Sequence, residues 1–303
     1  MLQSWKIHIQ SFTLYLKLER SMSEHSIDAY IRDVHKLASL EEIIEQKISP
    51  EQVRQEHIEI FIGRIYEVGL GEKTQARIIS GLKSFFKYLM LEDLIVQSPM
   101  ELIEGPKLTR KIPSVLSFDE IQQIIAAIDM SDKHGHRNRA IIETLYACGI
   151  RVTELVNLKL SHYYPDDGFI RVIGKNDKER IVPIGPEAIK QLNYYINEIR
   201  KHGPIKPGFE DFVFLNRLGR PLTRVMIFTI IKKLTELAGI KKTVSPHTFR
   251  HSFATHLVEG GANLRAVQDM LGHESITTTE IYTHLDNNFL RETILQFHPR
   301  SQE

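Results

Sequence analysis

Apolar residues recur at helical spacing through the first third of the chain. Ser23, a residue type that often caps a helix, precedes apolar residues at positions 27, 30, 31, 34 and 37, which fall on one helical face. The alternation of apolar and polar residues that marks a strand does not occur in this part of the sequence. The pattern predicts an N-terminal helical domain over residues 1–104.

The pattern changes after residue 104. Residues 105–114 contain prolines, a glycine and cations, and they predict an exposed, extended linker. Ser117 then begins a helix, and a β-hairpin is predicted where the branched residues of FIRVI and KERIVPI flank the turn sequence GKND. Helical patterns dominate from Pro186 onward. We therefore expect a mainly α fold with a small β-sheet, in which residues 115–303 form an α+β domain with a C-terminal tail helix.

Composition narrows the class of protein. The chain of 303 residues is 42% hydrophobic and has no apolar run near the length that crosses a bilayer, so no membrane partner is expected. The N-terminus lacks the pattern of a secretory signal, which predicts a cytoplasmic protein. Cys148, the single cysteine, is expected to be a buried small residue and not a nucleophile. A net charge of +1 gives no general sign of nucleic-acid binding, so cationic faces have to be sought helix by helix.

One helical segment, residues 73–89, separates apolar residues from cations. On a helical wheel Lys73, Arg77, Lys83 and Lys87 lie opposite the apolar side and are interleaved with small residues. Such a face is either the solvated side of a surface helix or a DNA-binding surface. Because no acidic residue lies within the segment, we favour a helix that binds DNA, in the manner of a helix in a major groove.

Four short segments of the second domain carry groups that can handle a phosphodiester: ACGIRVTEL, VIGKNDKER, SPHTFRHSFATH and LGHESITTTEIYTH. A guanidinium matches the charge that develops on phosphate oxygens, so Arg151 and Arg250 are predicted to clamp a phosphate. Arg151 is expected to open a helix. Ser245 and Pro246 are expected to begin another, which places His247 one turn before Arg250.

Tyr282 is the candidate nucleophile, on a helix expected from Thr277 to Leu285. A phenol with a pKa of about 10 is protonated at neutral pH, so it needs nearby cations or a base. His247 and His273 can supply both, and Gly272 is expected to end the preceding helix and turn His273 away from its axis. Taken singly, each of these residues has a plainer interpretation, as a surface arginine or a packed tyrosine.

The histidines also permit a metal interpretation. His247 and His251 are four residues apart, as are the two histidine ligands on a metalloprotease helix. Thr248 stands where such a helix has its glutamate, and Arg250 would repel a cation held between the two ligands. No metal site is therefore predicted.

In order and spacing these segments resemble the tyrosine recombinase family, also called the phage integrase family, and within it the Xer branch of XerC and XerD. The resemblance runs nearly end to end and rests on six motif positions: Arg151, Lys175, His247, Arg250, His273 and Tyr282. It implies an enzyme, a DNA strand transferase that cleaves and rejoins duplex DNA at specific sites through a 3′-phosphotyrosyl intermediate. It implies no metal, ATP or other cofactor.

The family also implies a role for each motif residue. Arg151 and Arg250 would hold the scissile phosphate while Tyr282 attacks it, and the two histidines would assist proton transfer and orientation. Lys175 would protonate the departing 5′-hydroxyl, with Lys178 as the alternative on the same hairpin.

The resemblance extends to domains and partners. The first domain resembles the family's SAM-like core-binding domain, and the two domains would clamp DNA from opposite sides. The tail resembles the terminal helix that docks on a neighbouring protomer, which implies a homo- or hetero-tetramer on duplex DNA with inverted-repeat recombination sites. An FtsK-type translocase and a nucleoid-associated location are further implied. One departure is His162, which stands where many members have an aspartate and puts a local contact in doubt.

Three functions fit this sequence. They are a Xer-type recombinase that resolves chromosome dimers, an integrase of a mobile element with the same chemistry, and a DNA-binding architectural protein that has lost catalysis. The compact length, without an appended arm-binding domain, and the FHPR ending lead us to expect the first. A type IB topoisomerase shares the tyrosine chemistry, but the Xer-like tail argues against it.

Overall fold

The computed structural model describes residues 2–20, 22–106, 114–174, 178–272 and 284–301. The chain divides into two compact units, residues 1–111 and 112–303, and the division lies within the predicted linker. Over the described residues the N-terminal unit is helical, whereas the C-terminal unit combines helices with a three-stranded sheet. This architecture confirms the mainly α fold with a small β-sheet.

The described helices and strands have the following bounds, and most of the helix expected from Thr277 to Leu285 lies outside the described residues. The helices of the N-terminal unit are α1 (Gln3–Leu18), α2 (Glu24–Ala38), α3 (Glu41–Glu45), α4 (Gln55–Glu67) and α5 (Glu72–Leu91). Those of the C-terminal unit are α6 (Phe118–Ala126), α7 (Gly135–Cys148), α8 (Val152–Val156), α9 (Pro186–Tyr194), α10 (Arg224–Leu237), α11 (Pro246–Glu259), α12 (Leu264–Leu271) and α13 (His284–Phe297). The strands are β1 (Tyr163–Tyr164), β2 (Phe169–Ile173) and β3 (Glu179–Pro183). Over the described part of the chain, none of these helices is long and apolar enough to span a membrane.

The predicted caps set the ends of several helices. Ser23, Ser117 and Ser245 each accept a hydrogen bond from a backbone N–H in the first turn of α2, α6 and α11, respectively. Pro246 occupies the start of α11, where its missing N–H leaves no intrahelical bond unmade. Gly272 follows α12 in the left-handed conformation, with a φ of 65°. The structure therefore confirms these predicted caps and the predicted helix end.

The core of the N-terminal unit is rich in aromatic side chains. Trp5 and Phe12 on α1 are fully buried with Phe85 on α5, and the ring centroids of Phe12 and Phe85 lie 5.3 Å apart. Trp5 also donates its indole N–H to the carbonyl of Ile48 at 2.9 Å, which satisfies the one polar atom of that ring. This packing turns the apolar side of α5 inward and leaves its cationic side at the surface.

Helix α7 is the central element of the C-terminal unit and packs against α9 and α11. Every residue from Ala140 to Cys148 is buried, which confirms the expected burial of Cys148, and this burial raises the pKa of its thiol. The helix ends at Gly149, which has a φ of 56° and whose added Cβ would lie 2.3 Å from the ring of Phe253. Only glycine fits this turn, which leads the chain directly into Arg151.

Strands β2 and β3 form the predicted hairpin. They pair antiparallel, with Ile173 opposite Glu179, and β1, which the sequence patterns did not reveal, adds a short third strand beside β2. The N–H of Gly174 donates to the carbonyl of Lys178 at 2.8 Å, one more bond between the two sides of the hairpin. Lys175 comes directly after Gly174 in the chain and lies outside the described residues.

The C-terminal tail packs against its own unit. Leu290 and Ile294 on α13 are buried, and Arg300 forms a buried two-point ion pair with Glu143 of α7, with Nη2 2.6 Å from Oε1. His298 is almost fully buried, and this burial lowers the pKa of its imidazole to about 4. In the single chain the tail residues 298–301 are therefore held by their own C-terminal unit.

Candidate active site

The end of α12 gathers three arginines. The last carbonyls of a helix have no partner within the helix, and in α12 the three consecutive carbonyls of residues 270–272 each accept a hydrogen bond from a different guanidinium. The bonds run from Arg180 Nε to Met270 at 2.9 Å, from Arg250 Nη2 to Leu271 at 2.6 Å and from Arg151 Nη2 to Gly272 at 3.1 Å. The partial negative charge of a helix C-terminus suits such cations. The arginine cluster, defined as Arg151, Arg180 and Arg250, is thus built on one helix end.

Arg151 is positioned by a capping box at the start of α8. Its backbone N–H donates to Glu154 Oε2 at 2.7 Å, and its Nη1 donates to Glu154 Oε1 at 3.0 Å. The Arg151 side chain is about one-third exposed, and a cleft of ≈ 430 Å³ opens beside it, lined in part by His162 and Arg171. The residue predicted to hold a phosphate is therefore fixed through its backbone and its guanidinium and is still partly exposed beside a cleft.

Arg250 reaches the cluster from the first half of α11. Besides its bond to the end of α12, its Nη1 donates to the carbonyl of Gly149 at 2.8 Å. Burial, followed by the nearby charges of Arg151 and Arg180, lowers the pKa of Arg250 to about 10. A guanidinium with that pKa is still charged at neutral pH, so the cluster holds unbalanced positive charge where an anion can bind.

Glu154 is the one carboxylate bonded within the arginine cluster over the described residues, and its side chain is 1% exposed. Arg180 binds it at two points, with Nη1 2.6 Å from Oε1 and Nη2 2.8 Å from Oε2. Burial acts to raise the pKa of the Glu154 carboxyl, but the hydrogen bonds and charge of Arg180, together with Arg151, outweigh it and lower the pKa. Glu154 is therefore ionised and holds two guanidiniums in place.

Of the other predicted catalytic residues, the structure describes His247 and not Lys175, His273 or Tyr282. His247 is exposed and lies one turn before Arg250 on α11. Lys175, His273 and Tyr282 lie outside the described residues. The residues that border them are close to the cluster or to described helices: an added Cβ at Gly174 would lie 3.7 Å from Glu154 Oε1, and the carbonyl of Gly272 binds Arg151. The helix α13 begins two residues after Tyr282.

Sequence reasoning missed Glu154 and Arg180. The signal for Glu154 was present, because an acidic residue three positions after a helix cap is the pattern of a capping box. Arg180 gave no comparable signal, since it is one of several cations near the predicted hairpin turn and its partner lies 26 positions away. Only the packing of β3 against α12 distinguishes it from its neighbours.

The cationic residues of α5 differ from one another in the structure. Lys73, Lys83 and Lys87 are exposed on one side of the helix, as predicted for a binding face. Arg77 instead donates to Asp33 of α2 through a short Nη1 to Oδ2 contact, and Asp33 is fully buried. One of the four predicted DNA-binding residues thus has a partner inside its own unit.

Comparison with known proteins finds a matching family over both units. Residues 114–288 match the model of the phage integrase family, and residues 9–93 match that of the phage integrase N-terminal SAM-like domain. The chain is 43% identical over 302 residues to the tyrosine recombinase XerD of Chlorobaculum tepidum, with 98% of each chain covered. It is 42% identical over 293 residues to XerD of Listeria monocytogenes, with 97% of this chain and 99% of the relative covered.

A solved structure extends the similarity to three dimensions. The XerH site-specific recombinase, bound to a palindromic difH substrate in a post-cleavage complex, superposes with a TM-score of 0.69 at 26% identity. The alignment covers 95% of this chain and 84% of XerH. Both units therefore have counterparts in the family. The two relatives of more than 40% identity are both called tyrosine recombinase XerD. The chain belongs to the phage integrase family and is a site-specific tyrosine recombinase of the Xer type.

Proposed function

We propose that the chain cleaves duplex DNA with Tyr282 as the nucleophile and with Arg151 and Arg250 as the clamp on the scissile phosphate. The observation that best supports this assignment is the convergence of the two arginines on the end of α12, next to His273 in the chain. Each guanidinium has five N–H donors, and the bonds described above use two of them on each arginine. The remaining donors suit the oxygens of one phosphate.

The proposed chemistry is a transesterification. The Tyr282 oxygen forms a bond to phosphorus while the bond to the 5′-oxygen breaks, and the tyrosine proton passes to His247 or His273. Lys175 gives a proton to the departing 5′-oxygen, which leaves as a hydroxyl. Attack by the 5′-hydroxyl of another strand reverses these steps and releases the tyrosine. One phosphoester bond replaces another throughout, so rejoining needs no separate energy source.

DNA contacts outside this centre are assigned to α5. Its exposed lysines, Lys73, Lys83 and Lys87, lie on one face of the helix, whereas Arg77, the fourth predicted DNA-binding residue, is paired with the buried Asp33. Phosphate neutralisation by such residues supplies affinity that depends on salt and not on sequence. The N-terminal unit would then hold DNA while the C-terminal unit carries out the chemistry.

The biological role we propose is the resolution of chromosome dimers. Near full-length identity of 42–43% to relatives called XerD supports this role over integration of a mobile element. The XerH structure contains a palindromic DNA site, which supports inverted-repeat DNA and an assembly of several protomers, a homo- or hetero-tetramer, as the working form. A nucleoid-associated cytoplasmic location and activation by an FtsK-type translocase complete this proposal.

The decisive experiment is covalent trapping on a nicked suicide duplex that carries a Xer-type inverted-repeat site. The wild-type protein should form a protease-sensitive adduct through the 3′-phosphate, and Tyr282→Phe should form none because it lacks the phenolic oxygen. Tyr194→Phe, a change of the same kind at an exposed tyrosine on α9, is the matched control and should react as the wild type does. An adduct that persists in Tyr282→Phe would remove this tyrosine from the nucleophile role.

A further inference from the structure

Arg180 joins three elements around the proposed phosphate site. It lies on β3, it binds Glu154 of α8 at two points, and its Nε donates to the last turn of α12. Its side chain is 10% exposed, and an added Cβ at Gly272 would lie 3.0 Å from its Cδ. The stem of Arg180 therefore packs under the turn that leads to His273, while its head holds the carboxylate beside Arg151.

The carboxylate of Glu154 is saturated with hydrogen bonds. A carboxylate offers about four acceptor positions. Arg180 Nη1 and Arg151 Nη1 occupy Oε1, while Arg180 Nη2 and the Arg151 backbone N–H occupy Oε2. Because Arg180 fills two of these positions, Glu154 accepts only one side-chain hydrogen bond from Arg151. The second terminal nitrogen of Arg151 is turned toward Gly272 instead.

The net charge of the arginine cluster also depends on Arg180. The three guanidiniums of the arginine cluster carry three positive charges, and Glu154 carries one negative charge. With Arg180 present, Arg151 and Arg250 together keep two positive charges for an anion. Without Arg180, Glu154 would neutralise one of these two remaining arginines. Arg151 is the nearer candidate, since it already touches both oxygens of that carboxylate through its backbone and side chain.

We propose that Arg180 is a positioning residue for strand cleavage: it occupies Glu154 so that Arg151 stays available to the scissile phosphate. The inference rests on the proposed function of Arg151. Arg180 does not touch the phosphate in this scheme. It acts through Glu154, and it also ties the hairpin that continues into Lys175 to the helix end that leads to His273.

Single-turnover cleavage of the nicked suicide duplex tests this role when Arg180 is changed to glutamine. The measurement is made with saturating protein at a temperature where circular dichroism shows every variant to be fully folded, and the dissociation constant for DNA is measured separately. Arg180→Gln should slow cleavage by about tenfold to a hundredfold, because a displaced clamp misplaces the phosphate, while the dissociation constant changes little. Arg180→Lys keeps the charge but cannot bind both carboxylate oxygens, so its cleavage rate should lie between those of the wild type and Arg180→Gln.

A double variant distinguishes a positioning role of Arg180 from a purely structural one. Arg180→Gln combined with Glu154→Gln removes the carboxylate that would capture Arg151, so the double variant should cleave at least several-fold faster than Arg180→Gln alone. Arg137→Gln is the matched control, since Arg137 is also a buried arginine that binds a backbone carbonyl. It lies near the start of α7, about 16 Å by the helix rise from the end of α7 that leads to Arg151, and its folded fraction should cleave at the wild-type rate.

The outcomes distinguish the two proposals. If the wild-type protein forms no Tyr282 adduct, the proposed function and this inference fail together. If the wild type forms the adduct and folded Arg180→Gln cleaves as fast as folded Arg137→Gln, only the role of Arg180 is overturned. Failure of the Glu154→Gln change to restore any rate would likewise overturn the assignment, because it would show that Arg151 was not being held by the carboxylate.

Discussion

Asp33 in the N-terminal unit and Glu154 in the C-terminal unit are buried carboxylates that bind arginine, and they differ in the number of hydrogen bonds they accept. Asp33 in the N-terminal unit binds Arg77 through Oδ2, while its Oδ1 has no hydrogen-bond partner among the described residues and lies 3.8 Å from Lys36. Burial raises the pKa of Asp33, and Arg77 only partly opposes this effect. Glu154 in the C-terminal unit receives four hydrogen bonds from two arginines, and its pKa is lowered.

This difference determines which arginines can bind a DNA phosphate. Arg77 is the principal partner of an under-satisfied buried charge, so removing it from Asp33 to reach a phosphate is costly. Arg151 shares its carboxylate with Arg180, and Arg250 binds backbone carbonyls only among its described partners, so both keep charge and donors for another anion. For Asp33 and Glu154, the number of guanidiniums bound to the carboxylate therefore separates an arginine that stabilises the fold from arginines that can bind a ligand.

The largest effect is expected from Arg250, whose charge has no carboxylate partner within the described residues. Arg250→Ala should slow cleavage of the suicide duplex by on the order of a hundredfold or more, because it removes a donor aimed at the charge of the transition state. Binding of intact duplex should fall far less, since other cations neutralise the DNA backbone. The two quantities are measured as the single-turnover rate and the dissociation constant.

Arg265→Ala provides the control for this comparison. Arg265 is an exposed arginine on α12 that pairs with Asp269 at 3.3 Å, so its loss should leave the cleavage rate unchanged. Parallel losses of binding and cleavage in Arg250→Ala would instead mark Arg250 as a structural arginine, and the contrast with Arg77 would disappear.

The second effect, on stability, is expected at Arg77. Arg77→Met leaves the buried Asp33 carboxylate without its partner and should lower the free energy of unfolding of the N-terminal unit by about 2–3 kcal/mol. This value lies below that of a fully buried pair because the Arg77 side chain is about one-third exposed. Trp5 is the only tryptophan and is buried in this unit, so its fluorescence during urea unfolding reports the change.

The pair itself is tested by removing both members. Replacing Asp33 by asparagine in the Arg77→Met background should recover much of the lost stability, because no unpaired charge then stays buried. If Arg77→Met unfolds at the same urea concentration as the wild type, the pair with Asp33 does not stabilise the fold, and Arg77 would count with the lysines of α5 as a cation that can bind DNA.

The sequence revealed features that depend on neighbouring residues in the chain. The caps at Ser117 and Ser245, the left-handed turn at Gly272 and the hairpin of β2 and β3 follow from local chemistry, and each was confirmed. Burial of Cys148 followed from its apolar surroundings. The resemblance to a known family brought in Lys175, and the roles of Lys175, His273 and Tyr282 stay predictions.

Pairings between distant residues were not visible in the sequence. Arg77 looked equivalent to its lysine neighbours on a helical wheel, because the wheel does not show that Asp33, 44 positions earlier, packs against it without access to water. Arg180 looked like one more cation near a turn, because its role depends on where α8 and α12 meet β3. Both cases need the tertiary packing, which sets the number of arginines around each carboxylate.

The smallest effect is expected from the exposed lysines of α5, which have no ion-pair partner among the described residues and so offer the opposite case to Arg77. Lys83→Ala and Lys87→Ala should each weaken DNA binding several-fold and reduce the slope of log affinity against log salt by about 0.9, because each phosphate contact releases counterions. Neither change should shift the urea midpoint of Trp5 fluorescence. Lys17→Ala, at an exposed lysine on α1, is the control for general charge. Equal salt slopes for all three variants and the wild type would show that α5 presents a solvated face. The contrast between cations that pair within the fold and cations that bind DNA would then apply only to the C-terminal unit.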